Sequence, residues 1–324
     1  MGYISDCIWP KQFSDEHKER HRIYCYLVMS LLAHYWNPWK RGVDGKYNWI
    51  GNFSATPSTY LGHNIACFAV DGNGKIIDFD FNHNEIFNSS IEHAEARLLR
   101  RLFSLTTHFH SSNIFALPRI PDDESSLINK VLNAGADIVE EWEGNYRKSQ
   151  SHYGKALKDV TIYTSLESCA QCSGMMALGA VKEVVFLQQD PGQKNIGNIL
   201  FNLNNGSAFS APEPISANTI DLAEFQGLDG AFDSFVKNVN ARPFYEDGNK
   251  KDTSPSITSF LCTNEALEIF KGGRKKLKSL QLQHKQWKPN QSSDVLTNED
   301  VLKHVRSYHN RAIAVGRRAT PQSR

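Results

Sequence analysis

The 324-residue chain has no run approaching the roughly 18 apolar residues that a membrane-spanning helix requires. Its first residues, Met1-Gly-Tyr-Ile-Ser-Asp6, lack the basic and apolar regions of a secretory signal. Asp6 stands where a myristoylated Met-Gly start wants Ser or Thr, so no lipid anchor is expected. An excess of one charge is also missing: 36 Lys and Arg oppose 35 Asp and Glu. The resulting net charge of +1 gives no overall pull toward nucleic acid or anionic lipid. Cysteine is scarce, with six residues, and Cys7, Cys25, Cys67 and Cys262 show no disulfide-framework spacing. A reducing, cytoplasmic compartment is the simplest expectation. A hydrophobic content of 40% and a charged content of 22% suit a globular chain of one large or two modest domains.

The chemistry concentrates in Ser165-Leu-Glu-Ser-Cys169-Ala-Gln-Cys172-Ser-Gly-Met-Met176. Upstream, Thr161-Ile-Tyr-Thr164 alternates like a short strand. Ser168 offers an N-cap hydroxyl, and residues 173–180 supply a small-residue helix. Two cysteines three residues apart at a helix N-terminus share a face and can reach one ion. The positive end of the helix dipole also favours their metal-binding thiolate forms. Taken alone, the Cys-x-x-Cys fits a metal site, a redox pair or two buried thiols. A second motif, Ile91-Glu-His93-Ala-Glu95, opens a helix over 92–105 whose Leu98, Leu99, Leu102 and Phe103 recur at helical spacing. His93 can complete a three-ligand zinc site that keeps one position for water. Glu95 can lean over that water as a proton carrier. The His-x-Glu and Cys-x-x-Cys combination is the known signature of zinc deaminases.

On these residues the chain resembles the cytidine deaminase superfamily, and most of all its tRNA-adenosine, guanine and cytosine deaminase branch. Thr164-Ser-Leu-Glu-Ser-Cys-Ala-Gln-Cys-Ser-Gly-Met-Met is similar to that branch's Thr-Leu-Glu-Pro-Cys-x-x-Cys-x-Gly-Ala-Met run. Val181 to Phe186 matches the strand that follows, and Ile65 to Asn82 the first hairpin. The resemblance covers roughly residues 61–105 and 158–200. It implies a three-layer α/β/α fold with a mixed central sheet, and Zn2+ held by His93, Cys169 and Cys172. It also implies Glu95 as the catalytic proton carrier, with Asn82 and the Ala94 backbone as substrate contacts. The activity implied is hydrolytic deamination of a nucleobase, nucleoside or nucleotide, with release of ammonia. A deaminase acting on RNA or DNA, or a non-catalytic zinc-binding partner protein, are the alternatives; a structural zinc would require a fourth ligand such as His63 or Cys67. A homo-oligomer is possible under either reading. Two departures stand out. Ser168 replaces the branch's Pro, and a long insertion, 106–157, separates the motifs and leaves substrate preference open.

Elsewhere, a helix is predicted over 14–36. Two strands, Ile65 to Val70 and Lys75 to Phe81, are joined by Asp71-Gly-Asn-Gly74, a hairpin signal. His108 and His110 read as solvated loop residues, and 122–139 as a helix within the insertion. Residues 181–187 read as a strand, 202–214 as a linker, 222–239 as a helix, 245–257 as a loop and 264–280 as a helix. Residues 1–240 are thus expected to form the catalytic domain and 241–324 a basic, partly disordered extension. From Lys271 to Arg324 there are thirteen Lys and Arg against three Asp and Glu. Lys275, Lys276 and Lys278, with Trp287 nearby, make nucleic-acid contact the alternative to a merely solubilising end. The terminal residues 316–324 are expected to be disordered.

Overall fold

The computed structural model describes residues 12–36, 62–84, 89–110, 157–193, 195–203, 211–241, 245–247, 250–252 and 256–315. The predicted helix 122–139 therefore lies outside the described residues, as do most of the insertion and the terminal 316–324.

Helix α1 (Asp15–His34) starts at Ser14, with Asp15 and Glu16 in its first turn, where acidic side chains complement the dipole. Strands β1 (Ala66–Val70) and β2 (Ile76–Phe81) pair antiparallel. Their turn closes as the sequence predicts. The Asp71 carboxylate accepts from the N–H groups of Asn73 and Lys75, and Gly74 takes a φ of 93°, a region open to glycine. Helix α2 (Ala94–His110) runs five residues beyond its predicted end at 105, so the backbone at 108–110 is helical and not a loop. The chain is next described from residue 157, and enters β3 (Thr161–Thr164), α3 (Ala170–Leu178) and β4 (Glu183–Phe186).

Two elements overlap the ends of the expected linker 202–214, by two residues each. Helix α4 (Ile196–Leu203) and strand β5 (Glu213–Ser216) flank residues 204–210, which are not described. After α5 (Ala223–Ala241), the expected loop 245–257 contains a small hairpin, β6 (Tyr245–Asp247) and β7 (Lys250–Asp252). Helices α6 (Ile257–Phe260), α7 (Asn264–Ser279) and α8 (Asn298–Val315) complete the described chain. The last of these was not legible as a helix in the sequence reading.

The sheet order is β2-β1-β3-β4-β5, with β1 antiparallel to both neighbours and β3, β4 and β5 parallel. Strand β2 therefore runs the same way as β3, β4 and β5, and four strands end at one edge. This is the mixed sheet flanked by helices that the resemblance implies. Side chains sort by face. Phe68 and Tyr163 stack at 5.3 Å and meet Tyr24 of α1, so α1 covers that face. On β2, Phe79 and Phe81 meet Tyr308 of α8 and Tyr35, while Asp78 and Asp80 pair with Arg101 and Arg97 of α2 on the other face. The alternation Ile77-Asp-Phe-Asp-Phe81 is thus a strand buried on both faces, with one face ionic.

Fourteen of the 20 residues of α1 are buried, so it is enclosed on all sides. The sheet covers one side and the C-terminal helices the other. Gly273 of α7 lies so close to Met29 that a Cβ there would collide with it. The buried polar groups of α1 are matched from the same segment. Glu19 accepts from the Gln283 and His284 N–H groups, Arg20 donates to the Leu296 carbonyl, and Ser30 meets His309 Nε2 at 2.7 Å. The expected boundary at 240/241 falls at the last residues of α5, and the described part of the following segment supplies a further layer over α1.

Phe260, Phe270, Leu277, Val301 and Val305 are all buried in the common core. At about 2 kcal/mol for each such side chain, their loss approaches the whole stability of a typical domain. A chain ending at residue 255 should therefore show no cooperative thermal transition by circular dichroism. A sharp transition in that truncation would separate the C-terminal helices from the core.

Candidate metal centre

The sheet edge where β2, β3, β4 and β5 end gathers the chemistry, as open sheets with parallel strands place it at the carboxyl ends. His93 immediately precedes α2, and Cys169 is the N-cap residue of α3. The N-termini of both helices thus meet at one point. Cys169 Sγ lies 3.3 Å from His93 Nδ1, and Cys172 Sγ lies 3.6 Å from the same atom. The three donor atoms fall within 4.8 Å of one another. His93 and Cys169 are half-buried and Cys172 is buried. Neither His63 nor Cys67 belongs to the group, so among the described residues it has three protein donors.

The electrostatics favour a charged thiol pair holding one proton. Hydrogen bonding from Cys172 and His93 brings the Cys169 thiol down to about 4 despite its burial. Cys172 is pushed upward by the same sulfur contact and by burial. Hydrogen bonding to Cys169 raises His93 against the opposing effect of burial. Two soft thiol donors and an imidazole suit zinc.

Glu95 is the second residue of α2 and is 3% exposed. Its Oε2 is 3.6 Å from Cys172 Sγ, while Oε1 accepts from Thr164 Oγ1 at 3.0 Å and Ser168 Oγ at 3.2 Å. Burial is the main reason its carboxyl is raised above the ordinary range. Ser168 therefore does not cap α3, as its position suggested. Cys169 takes the cap position, and the serine hydroxyl goes to Glu95. Thr164 and Ser168 were not singled out from sequence as partners of Glu95. The signal was faint: Thr164 points to the α2 face because Tyr163 points to the α1 face.

Asn82 follows β2 on the face that carries Asp78 and Asp80 toward α2. Its Oδ1 accepts from the N–H groups of His63 and Asn84, and its Nδ2 is buried with no hydrogen-bond partner. Gly62 sits against it with no room for a Cβ. Ala94 is fully buried at the first position of α2, where a backbone N–H has no intrahelical acceptor. Behind the site, Arg97 is fully buried between Asp80 at 3.1 Å and Glu92 at 2.9 Å, and Arg100 also reaches Glu92. Sequence reading did not find this network.

A scan against protein-family models and a search of curated proteins each find no match. Among solved structures, one from biochemical and structural studies of A-to-I editing by tRNA:A34 deaminases at the wobble position of transfer RNA is similar. It is 16% identical with a TM-score of 0.27, and the match covers 47% of this chain and 82% of that one. At that score the fold rests on the topology described above. No helix among the described residues is long and apolar enough to cross a membrane.

Purified protein should carry about one zinc per chain, the stoichiometry of a single three-donor site. Mass spectrometry of metals should find none in the Cys169→Ser, Cys172→Ser double variant, whose Tm should also fall because metal binding and folding are coupled. Stoichiometric zinc in that variant would place the metal elsewhere.

Proposed function

We propose that the chain is a zinc-dependent hydrolytic deaminase that converts an exocyclic amine of a nucleobase, nucleoside or nucleotide to a carbonyl. The observation that carries this reading is Glu95. A buried carboxylate, tethered by two hydroxyls and 3.6 Å from a cluster sulfur, stands beside a three-donor metal cluster without being one of its donors. A purely structural zinc site would be closed by a fourth protein ligand and would not need that carboxylate.

In this reading His93, Cys169 and Cys172 hold the metal. A zinc ion there would supply Lewis acidity, which makes water a competent nucleophile near neutral pH. Glu95 moves the protons. One oxygen stays anchored to Thr164 and Ser168, which leaves the Cys172 side free to take a proton from water. It passes that proton to the ring nitrogen as the water oxygen bonds to the amine-bearing carbon, then carries the proton of the new hydroxyl to the amine, whose C–N bond breaks to release ammonia. Its raised pKa suits a group that must both accept and donate. The Ala94 N–H and the Asn82 Nδ2 are two buried donors on the same side of the sheet, suited to ring and sugar acceptors.

Glu95→Gln keeps the size and the hydroxyl contacts of Glu95 but cannot shuttle a proton. It should retain zinc and Tm while ammonia release falls by at least about 10²–10⁴-fold. The substrate screen for that assay spans nucleobases, nucleosides, nucleotides and RNA. Undiminished release by Glu95→Gln would remove Glu95 from the reaction.

A further inference from the structure

The first half of α8 and the segment that follows α7 enclose an open cavity of about 460 Å³, a volume in the range of small-molecule sites. Glu299, Leu302, Lys303 and Arg306 line one wall, at the three- and four-residue spacing of a single helix face. Leu280, Gln281, Leu282 and Lys285 line the other. The two walls are tied at both ends. At one end the Glu299 N–H donates to the Lys285 carbonyl at 3.0 Å, and at the other Arg306 Nη2 donates to the Leu280 carbonyl at 3.2 Å. Glu299 to Arg306 spans about 10 Å of helix, which sets the length of the groove. The Glu19 carboxylate of α1 accepts from the Gln283 and His284 N–H groups, so the second wall is also pinned to the core.

The lining is apolar at its floor and cationic at its rim. Leu282 and Leu302 are buried and Leu280 is half-buried, while Lys285 and Lys303 are exposed. The lining holds one acid, Glu299, whose contact with Lys303 at 3.4 Å is a surface pair that contributes little. Three cations against one carboxylate leave the lining at +2, in a chain whose total is +1. Arg306 is held rigidly: its Nε and Nη2 donate to the carbonyls of Leu277, Lys278 and Leu280. Its Nη1 has no acceptor among the described residues, so a fixed guanidinium keeps one N–H pair for an oxyanion. An inorganic anion would leave the leucine floor wet, and a neutral apolar molecule would leave the rim unmatched. A single-stranded nucleic acid would want rings to stack on, and no aromatic side chain lines the cavity.

We propose that this groove binds a small anionic amphiphile, its apolar body on Leu280, Leu282 and Leu302 and its oxyanion head on Arg306, Lys303 and Lys285. Burial of the apolar body over the floor supplies the non-directional part of the affinity, and the rim fixes which end faces out. Because α8 packs on the sheet face opposite α2, the site is separate from the metal cluster and does not rest on the deaminase reading.

Isothermal titration calorimetry of the full chain with octanoate, below its micelle concentration, tests the site. One saturable binding event per chain is expected. Octanol and acetate, which each keep one half of the chemistry, should bind at least about tenfold more weakly. Octyl phosphate binding tighter than octanoate assigns the head to a phosphate, and the reverse order to a carboxylate. The Lys285→Glu, Lys303→Glu double variant reverses the rim at two exposed side chains. It should keep its Tm and lose octanoate affinity by about tenfold or more. Lys275→Glu, at an exposed lysine outside the cavity, should bind octanoate like wild type. Absence of saturable octanoate binding, octanol as tight as octanoate, or full binding by the double variant overturns the site. So does a single-stranded oligonucleotide that binds wild type and not the double variant while octanoate binds neither.

Discussion

The contact on which the rest depends is the burial of the Glu95 carboxylate beside the Cys172 sulfur. Withdrawing such a group from water costs several kcal/mol unless it is hydrogen-bonded. Thr164 and Ser168 provide the bonds, and they come from a strand and from the turn that follows it. The arrangement therefore depends on the register of β1 and β3, which sets Cys67 against Thr164. A slip of one residue would exchange Thr164 for Tyr163 and put an aromatic ring against the carboxylate. The opposite face makes that slip expensive, because Tyr163 is packed among Phe68, Tyr24 and His21. The aromatic packing on the α1 side thus holds the polar geometry on the α2 side.

The candidate metal donors were legible because their information is local. Cys169 and Cys172 are three residues apart, and His93 and Glu95 two, so spacing alone places each pair. The hairpin was legible for the same reason, through Asp71 and Gly74. Contacts between distant segments were not. Ser168 sits where a helix cap is expected, but the unmet need of a carboxylate 73 residues earlier in the chain takes its hydroxyl. Strand β5 begins inside the stretch 202–214 whose Asn, Gly, Ser and Pro content reads as linker, and it forms because β4 offers an open edge. In α8 the spacing of Val301, Val305, Tyr308 and Ala312 is helical, but charge dominated the reading of that region.

Helix α1 shows why the C-terminal segment is needed. A helix covered only by a sheet keeps a polar outer stripe, yet here the outer positions include Met29 and Ser30. Polar residues in its first half, Glu19 and Arg20, are buried at 5% and 6% exposure, and their partners lie between residues 283 and 298. Polar groups buried in this way specify one docking position, since any shift of the covering segment would leave a carboxylate or guanidinium unmatched.

The ionic face of β2 works in the same manner and closer to the chemistry. Arg97 joins Asp80, two residues before Asn82, to Glu92, the residue before His93. An apolar substitute for such a buried pair is often as stable or more so, so stability alone is a weak reason for the network. What the ions add is direction. A guanidinium fork sets both distance and angle between its two carboxylates, which apolar packing does not. Through Arg97, the strand that leads to Asn82 and its unpartnered Nδ2, and the turn that delivers His93, are held at one fixed separation. The fold thereby ties the buried Asn82 amide nitrogen to the imidazole of the three-donor cluster.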